Sequence, residues 1–254
     1  MTSGQVNMPD VLRRAVALVD GSGPPDEGFW APDVKAWLAS PEQGLSADIE
    51  SISGAAETAE ALARLAPSSV TIMATAPSER ICWAEISRRS GGREETCIAG
   101  LSRDEQGQVS RIVWLRAPLV PATALERDPS SPDARPVIER YFADLMRSRF
   151  KEAAGHFSLD TIYSHPPYSA GAERALFLGR DALSRGFADE RRPSPARQVI
   201  TGFWQRRDRL FVEGLVEGIP AGGTFISAGQ ITPEGEIQRY VAFYSAQRFV
   251  GRPS

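Results

Sequence analysis

The chain has 254 residues, of which 42% are hydrophobic and 24% are charged, and its formal net charge is −3. This composition is typical of a folded globular protein and excludes a mainly disordered chain. The acidic balance argues against nucleic acid as the main partner, because binding to phosphates needs a basic surface. No apolar run approaches the ~20 residues of a transmembrane helix, and residues 1–10 lack the pattern of a signal peptide. We therefore expect a cytoplasmic protein with no membrane partner.

Residue types that build metal sites, disulfides and Schiff bases are scarce. Cys82 and Cys97 are too few for a disulfide framework or a cysteine metal site. The only two histidines, His156 and His165, have no cysteine or carboxylate at ligand spacing. We expect neither a metal nor a cofactor.

The first half of the chain begins with helical patterns and continues with strands. Asp10–Val19 has apolar residues at helical spacing, and a short helix, a strand-like piece and a second helix at Ala55–Leu65 follow. Gly91 and Gly92 form a hairpin signal between two of the later strands. The four predicted strands are Val70–Thr75, Arg80–Arg88, Arg93–Leu101 and Gln108–Leu115.

The second half has the same order after a Pro/Ser-rich linker at residues 126–135. Asp133 precedes an amphipathic helix at Pro136–Met146 and is a candidate cap for it. A later helix at Arg180–Asp189 follows a glycine. The four predicted strands are Ala196–Arg206, Arg209–Glu217, Gly223–Thr232 and Glu236–Ser245.

Matching segments recur at an offset of roughly 127 residues, which indicates a duplicated domain. Residues 29–34 match residues 156–161, and residues 107–115 match residues 235–243. We predict an α+β fold with two domains, residues 1–125 and 136–254. Helices followed by hairpin-linked strands favour, in each domain, a curved antiparallel sheet wrapped on about three helices. The concave side of such a sheet is the expected place for a pocket.

This order of elements, with a last strand that runs from Gly235 past Tyr240, resembles the nuclear transport factor 2-like superfold. Within it, the chain resembles the SnoaL-like polyketide cyclases and the ketosteroid isomerases. The resemblance implies two tandem cone-shaped domains. Along residues 141–166 it places Tyr141 at the oxyanion-hole tyrosine and His165 at the general base, which is an aspartate in the isomerases. It places Ser227 at a second oxyanion donor, which is a protonated aspartate there.

A set of further residues is predicted to contact the substrate. Strand alternation puts Tyr163 on the same face as His165, and the resemblance gives Val212, not Glu213, to the pocket. A group of tyrosines around one histidine suggests a flat, largely apolar ligand. The predicted substrate-binding residues are Tyr163, Tyr168, Tyr240, Tyr244 and Val212.

The first domain is predicted to be a degenerate copy. Arg14 stands at the position of the tyrosine, and Leu38 stands at the position of the histidine. We expect this copy to pack with the second as an intramolecular pseudo-dimer, and a further homodimer is possible. One alternative for the first domain is that Asp33 and Glu60 form an acid–base pair in its pocket.

The leading hypothesis is a cofactor-independent proton-transfer enzyme, of the isomerase or cyclase type, or a binder of a small hydrophobic carbonyl metabolite in the second pocket. The alternatives are a non-catalytic ligand-binding or interaction module, and an epoxide hydrolase or cyclase that uses Asp33 and Glu60. Other charged residues have simpler interpretations: Arg191 and Arg192 as solvated loop charges, and Arg180 as solvated or paired with Asp160.

Overall fold

The computed structural model describes residues 8–20, 28–39, 49–65, 69–121, 131–167, 173–191, 193–219 and 222–245. The chain divides into two compact units, Met1–Leu119 and Val120–Ser254. The predicted linker lies partly outside the described residues, so the domain bounds stay a prediction.

The described part of the first unit contains two helices and six strands. In chain order they are α1 (Met8–Asp20), β1 (Trp30–Ala39), β2 (Ile49–Ser53), α2 (Ala55–Ala63), β3 (Ser69–Pro77), β4 (Ile81–Ser90), β5 (Arg93–Arg103) and β6 (Val109–Pro118). The strands form one sheet in the order β2-β1-β6-β5-β4-β3.

The described part of the second unit contains three helices and six strands. In chain order they are α3 (Arg135–Met146), α4 (Phe150–Gly155), β7 (Phe157–His165), β8 (Ala175–Leu178), α5 (Arg180–Glu190), β9 (Arg197–Arg206), β10 (Arg209–Glu217), β11 (Thr224–Ile231) and β12 (Ile237–Ser245). Their sheet order, β8-β7-β12-β11-β10-β9, repeats that of the first unit.

The α+β class is confirmed, but both sheets are mixed, whereas the sequence predicted antiparallel ones. β1 runs parallel to β6, and β7 runs parallel to β12, while every other pair is antiparallel. Hairpin signals report only strands that are adjacent in sequence. They miss this pairing, which joins the first and the last strand of each unit.

The same strand register relates the two units. In the first, Ala36 lies opposite Ile112; in the second, Tyr163 lies opposite Tyr240. The positions differ by 127 and 128 residues, as in the sequence repeat. Residues at this offset therefore occupy equivalent places in the two folds.

Glycines begin the equivalent helices α2 and α5. Gly54 and Gly179 have φ of +105° and +88°, a region that favours glycine. The amide of Gly54 donates to the carbonyl oxygen of Val34 at 2.9 Å, and that of Gly179 donates to Thr161 at 2.7 Å. Each glycine thus ties the start of its helix to the first long strand of its sheet. Each unit has its own hydrophobic core.

Candidate active site

The second unit contains a cavity of about 380 Å³, a volume typical of small-molecule sites. Its wall is formed by α3, strands β9 to β12, the end of β7 and the C-terminal end of α5. Most of the lining is apolar and includes Phe142, Leu145, Val216, Ile219, Phe225 and Phe243.

Five of the eight predicted site residues line this cavity: His165, Tyr141, Ser227, Tyr240 and Tyr244. Two others do not. Tyr163 is buried behind the wall, and Val212 is buried in the hydrophobic core. Tyr168 lies outside the described residues.

His165 ends β7 and is half-buried. Its Nδ1 lies 2.7 Å from the carbonyl oxygen of Pro166. Because a carbonyl can only accept, Nδ1 carries the proton and Nε2 holds the basic lone pair. Burial, supported by the charge of Arg191, holds the pKa of His165 well below 6.5. The imidazole is therefore neutral at neutral pH and can accept a proton.

A chain of hydrogen bonds orients the Tyr141 hydroxyl. The hydroxyls of Tyr141 and Tyr163 lie 3.1 Å apart, and Nη2 of Arg191 lies 3.4 Å from the Tyr163 hydroxyl. Since a guanidinium can only donate, Tyr163 accepts from Arg191 and can give its own proton to Tyr141. In this direction of the chain the Tyr141 hydroxyl can donate to a further acceptor, and Tyr141 lines the cavity.

Two cavity residues hold buried polar atoms without a hydrogen-bond partner among the described residues. They are Oγ of Ser227 and Oε1 of Gln198. Burial raises the pKa of the neighbouring Tyr240, and the Ser227 hydroxyl opposes this rise. Such atoms carry a free-energy cost that a ligand can relieve.

Arg174 lies behind the cavity wall. Its Nε donates to the Ser164 hydroxyl at 2.8 Å, and its Nη2 donates to the carbonyl oxygen of Ala242. Its guanidinium carbon is 4.6 Å from the ring centre of Phe243. Burial lowers the pKa of Arg174 to about 9. Its charge also contributes to the low pKa of His165.

Among the lining residues that sequence reasoning missed are three with charged or amide side chains, Arg191, Gln198 and Glu190. Arg191 was expected to be a solvated loop charge. Instead, its guanidinium carbon lies 5.0 Å from the ring centre of Phe187 and thus reaches back over α5. The i, i+4 spacing of these two residues is the signal that could have revealed it. Glu190 is exposed at the protein surface.

Arg180 and His156 have structural partners. Nη2 of Arg180 lies 2.6 Å from a carboxylate oxygen of Glu236, not from Asp160, which had been one of its expected partners. Nε2 of His156 lies 2.7 Å from Oδ2 of Asp144, and His156 is not among the cavity residues.

The first unit differs at each equivalent position. Leu38, Ala99 and Trp114, which correspond to His165, Ser227 and Ala242, are all buried in its hydrophobic core. Asp33 and Glu60 are both exposed, and Glu60 lies 3.5 Å from Arg64. The two carboxylates weighed for epoxide opening are therefore not buried in a pocket.

Among the described residues, no group of three or more His, Cys, Asp or Glu side chains could hold a metal ion. The described helices include none that is long and apolar enough to cross a membrane.

Comparison with known proteins gives matches among solved structures. No protein-family model matches the sequence, and no curated protein matches it. A protein from Kribbella flavida, provisionally named a ketosteroid isomerase, is 17% identical, with a TM-score of 0.36, and the match covers 48% of this chain and 83% of that one. The epoxide hydrolase/cyclase-like enzyme SalBIII, named for pyran ring formation in the polyether salinomycin, is 15% identical over 44% of this chain and 90% of its own, with a TM-score of 0.35.

A third match is to an NTF-2 like protein of unknown function from Burkholderia xenovorans. It is 16% identical over 46% of this chain and 86% of its own, with a TM-score of 0.36. These matches fall in the groups of proteins that the sequence resembles. Matches at this level of identity say nothing about activity or ligand.

Proposed function

We propose that the second unit binds a small hydrophobic carbonyl compound and moves a proton on it without a cofactor. His165 is the general base, which takes a proton from the carbon next to the carbonyl group through Nε2. Tyr141, supported by Ser227, donates a hydrogen bond to the oxygen on which negative charge develops.

The observation that carries this proposal is that His165 and Tyr141 line one largely apolar cavity. The hydrogen bond from His165 to Pro166 fixes the tautomer, so Nε2 is the nitrogen that can accept a proton. The hydrogen bonds from Arg191 to Tyr163 and from Tyr163 to Tyr141 orient the Tyr141 hydroxyl as a hydrogen-bond donor to the carbonyl oxygen. A base and a donor in the same cavity are the two groups that enolisation requires.

Exchange of hydrogen for deuterium tests the proposal. A panel of apolar ketones and enones is incubated with the protein in heavy water, and the proton signal next to the carbonyl is followed by NMR. We expect protein-dependent loss of that signal, and His165→Gln should slow it by about 10²–10⁴-fold. The matched control is His156→Gln, which changes the other histidine and should retain the activity.

Two outcomes would overturn the proposed enzyme. One is the absence of exchange with every compound; the other is exchange that His165→Gln leaves unchanged. Binding without exchange, seen as ligand-induced shifts of the His165 ring signals, would favour the non-catalytic binding module.

A further inference from the structure

The charges around the cavity are predominantly positive. Arg191 lies in its wall, and Arg174 is bonded to Ala242 and lies over Phe243, which both line it. Among the described lining residues the one carboxylate is Glu190. Glu190 is exposed, so water screens its charge more strongly than it screens a charge at the buried side of the cavity.

Arg174 is the main evidence for an unbalanced charge. The structure gives its guanidinium neutral partners: the Ser164 hydroxyl, the Ala242 carbonyl and the Phe243 ring. Because Arg174 is half-buried and these partners are neutral, water screens its positive charge only in part, and the charge can attract a negative group in the cavity.

The two polar atoms without partners show where a polar ligand can bind. Ser227 is fully buried, and its hydroxyl can donate or accept. Oε1 of Gln198 needs a donor, such as a hydroxyl group. A purely hydrocarbon ligand would leave both atoms without a hydrogen bond.

We propose that the ligand of this cavity is an organic anion, namely a flat apolar keto acid whose carboxylate binds beside Arg191 in the field of Arg174. A guanidinium in the wall matches the geometry of a carboxylate, and the apolar lining accommodates the rest of the molecule. This inference rests on the proposed function, since it concerns the same cavity, and it narrows the substrate class from hydrophobic carbonyl compounds to acidic ones.

Three probes with one ring system test the charge preference. They are naphthoate, acetylnaphthalene and naphthylmethylammonium, which are anionic, neutral and cationic, and their binding to the full chain is measured by calorimetry at neutral pH. We expect naphthoate to bind about tenfold more tightly than acetylnaphthalene, the size of one charge-assisted hydrogen bond. We expect no detectable binding of the cation.

Variants then locate the charge. Arg174→Gln and Arg191→Gln should each weaken naphthoate binding by about tenfold and weaken acetylnaphthalene binding less, so that the preference for the anion decreases. Arg185→Gln, which removes an exposed arginine of α5 that does not line the cavity, is the matched control. If Arg174→Gln fails to fold, as judged by circular dichroism, Arg191→Gln and Arg191→Lys provide the same comparison, and the lysine variant should keep part of the preference.

Equal affinity for naphthoate and acetylnaphthalene would overturn this inference, as would a preference that persists in both glutamine variants or a lack of binding by all three probes. The proposed function is judged separately by deuterium exchange. A neutral ketone that exchanges while naphthoate fails to bind would leave the proton-transfer proposal intact and reject the anionic ligand.

Discussion

His165 links the pH of the solution to the stability of the second unit. Its pKa in the folded protein lies well below 6.5 because of burial, whereas in the unfolded chain it is ~6.5. Between these values the unfolded chain binds a proton that the folded protein does not. The free energy of unfolding therefore decreases as the pH falls through 6.5 towards the folded pKa.

Urea denaturation at a series of pH values checks this prediction. The wild-type protein should lose stability on the acid side, and His165→Gln, which cannot take up the proton, should lose less. The same acid-side loss in both proteins would show that other groups cause it.

The tyrosine chain predicts a non-additive pair of substitutions. Tyr141→Phe removes the proposed donor to the carbonyl oxygen and should slow deuterium exchange by about 10²–10³-fold. Tyr163→Phe removes only the group that orients Tyr141, so we expect a smaller loss, about tenfold. In the Tyr141→Phe background, Tyr163→Phe should cost almost nothing, because the group it orients is gone. If the two substitutions reduced the exchange rate independently of each other, the proposed hydrogen-bond chain from Tyr163 to Tyr141 would be wrong.

Sequence patterns identified which residues face the cavity side of the sheet, but not which of them reach the cavity. Tyr163 and His165 share a face, yet Tyr163 is covered while His165 borders the cavity. Val212 and Val216 also share a face, and only Val216 lines the cavity. Alternation gives direction, whereas contact with the cavity depends on the packing of helices that are distant in sequence. Sequence patterns did not predict that Arg191 lines the cavity, because the position of its side chain depends on the residue at which α5 ends.

At the scale of elements, α5 packs against β8 through a glycine. A Cβ atom built on Gly186 would lie 2.2 Å from Cε1 and Cζ of Phe177, a distance that requires the helix or the ring to move. Gly186→Ala should therefore reduce the free energy of unfolding by about 1–3 kcal/mol, although alanine is the better helix former. Urea denaturation measures the change.

The control for this prediction is Gly155→Ala, the same substitution in another helix of the unit. A Cβ atom at Gly155 meets nothing within 4 Å. This variant should be neutral or more stable by about 0.5–1 kcal/mol. Equal effects of the two substitutions would show that close packing of α5 on β8 is not the cause.

At the scale of the whole molecule, the repeat was readable from sequence because matched segments keep their order and spacing. The sheets also revealed what the sequence offset alone could not, namely that the first unit buries a large side chain at a position that borders the cavity in the second. Trp114 is buried in the core of the first unit at the position that Ala242 occupies beside the cavity of the second. Trp114→Ala should cost about 3–5 kcal/mol of unfolding free energy, as measured by denaturation. A loss much below this range would mean that Trp114 is not a close-packed core residue.

The reciprocal substitution, Ala242→Trp, tests whether the small side chain at this position keeps space for a ligand in the second unit. The indole would extend from β12 into a cavity of about 380 Å³ and compete with any ligand for the space beside Ser227. We expect Ala242→Trp to abolish ligand-induced shifts of the His165 ring signals and to stop deuterium exchange, with unchanged circular dichroism. Ala242→Ser, which keeps the side chain small, should retain both. The first unit carries Trp114 at the equivalent register position, so we expect the sheet of the second unit to accept a tryptophan there. Ligand binding that survives in Ala242→Trp would place the ligand outside this cavity.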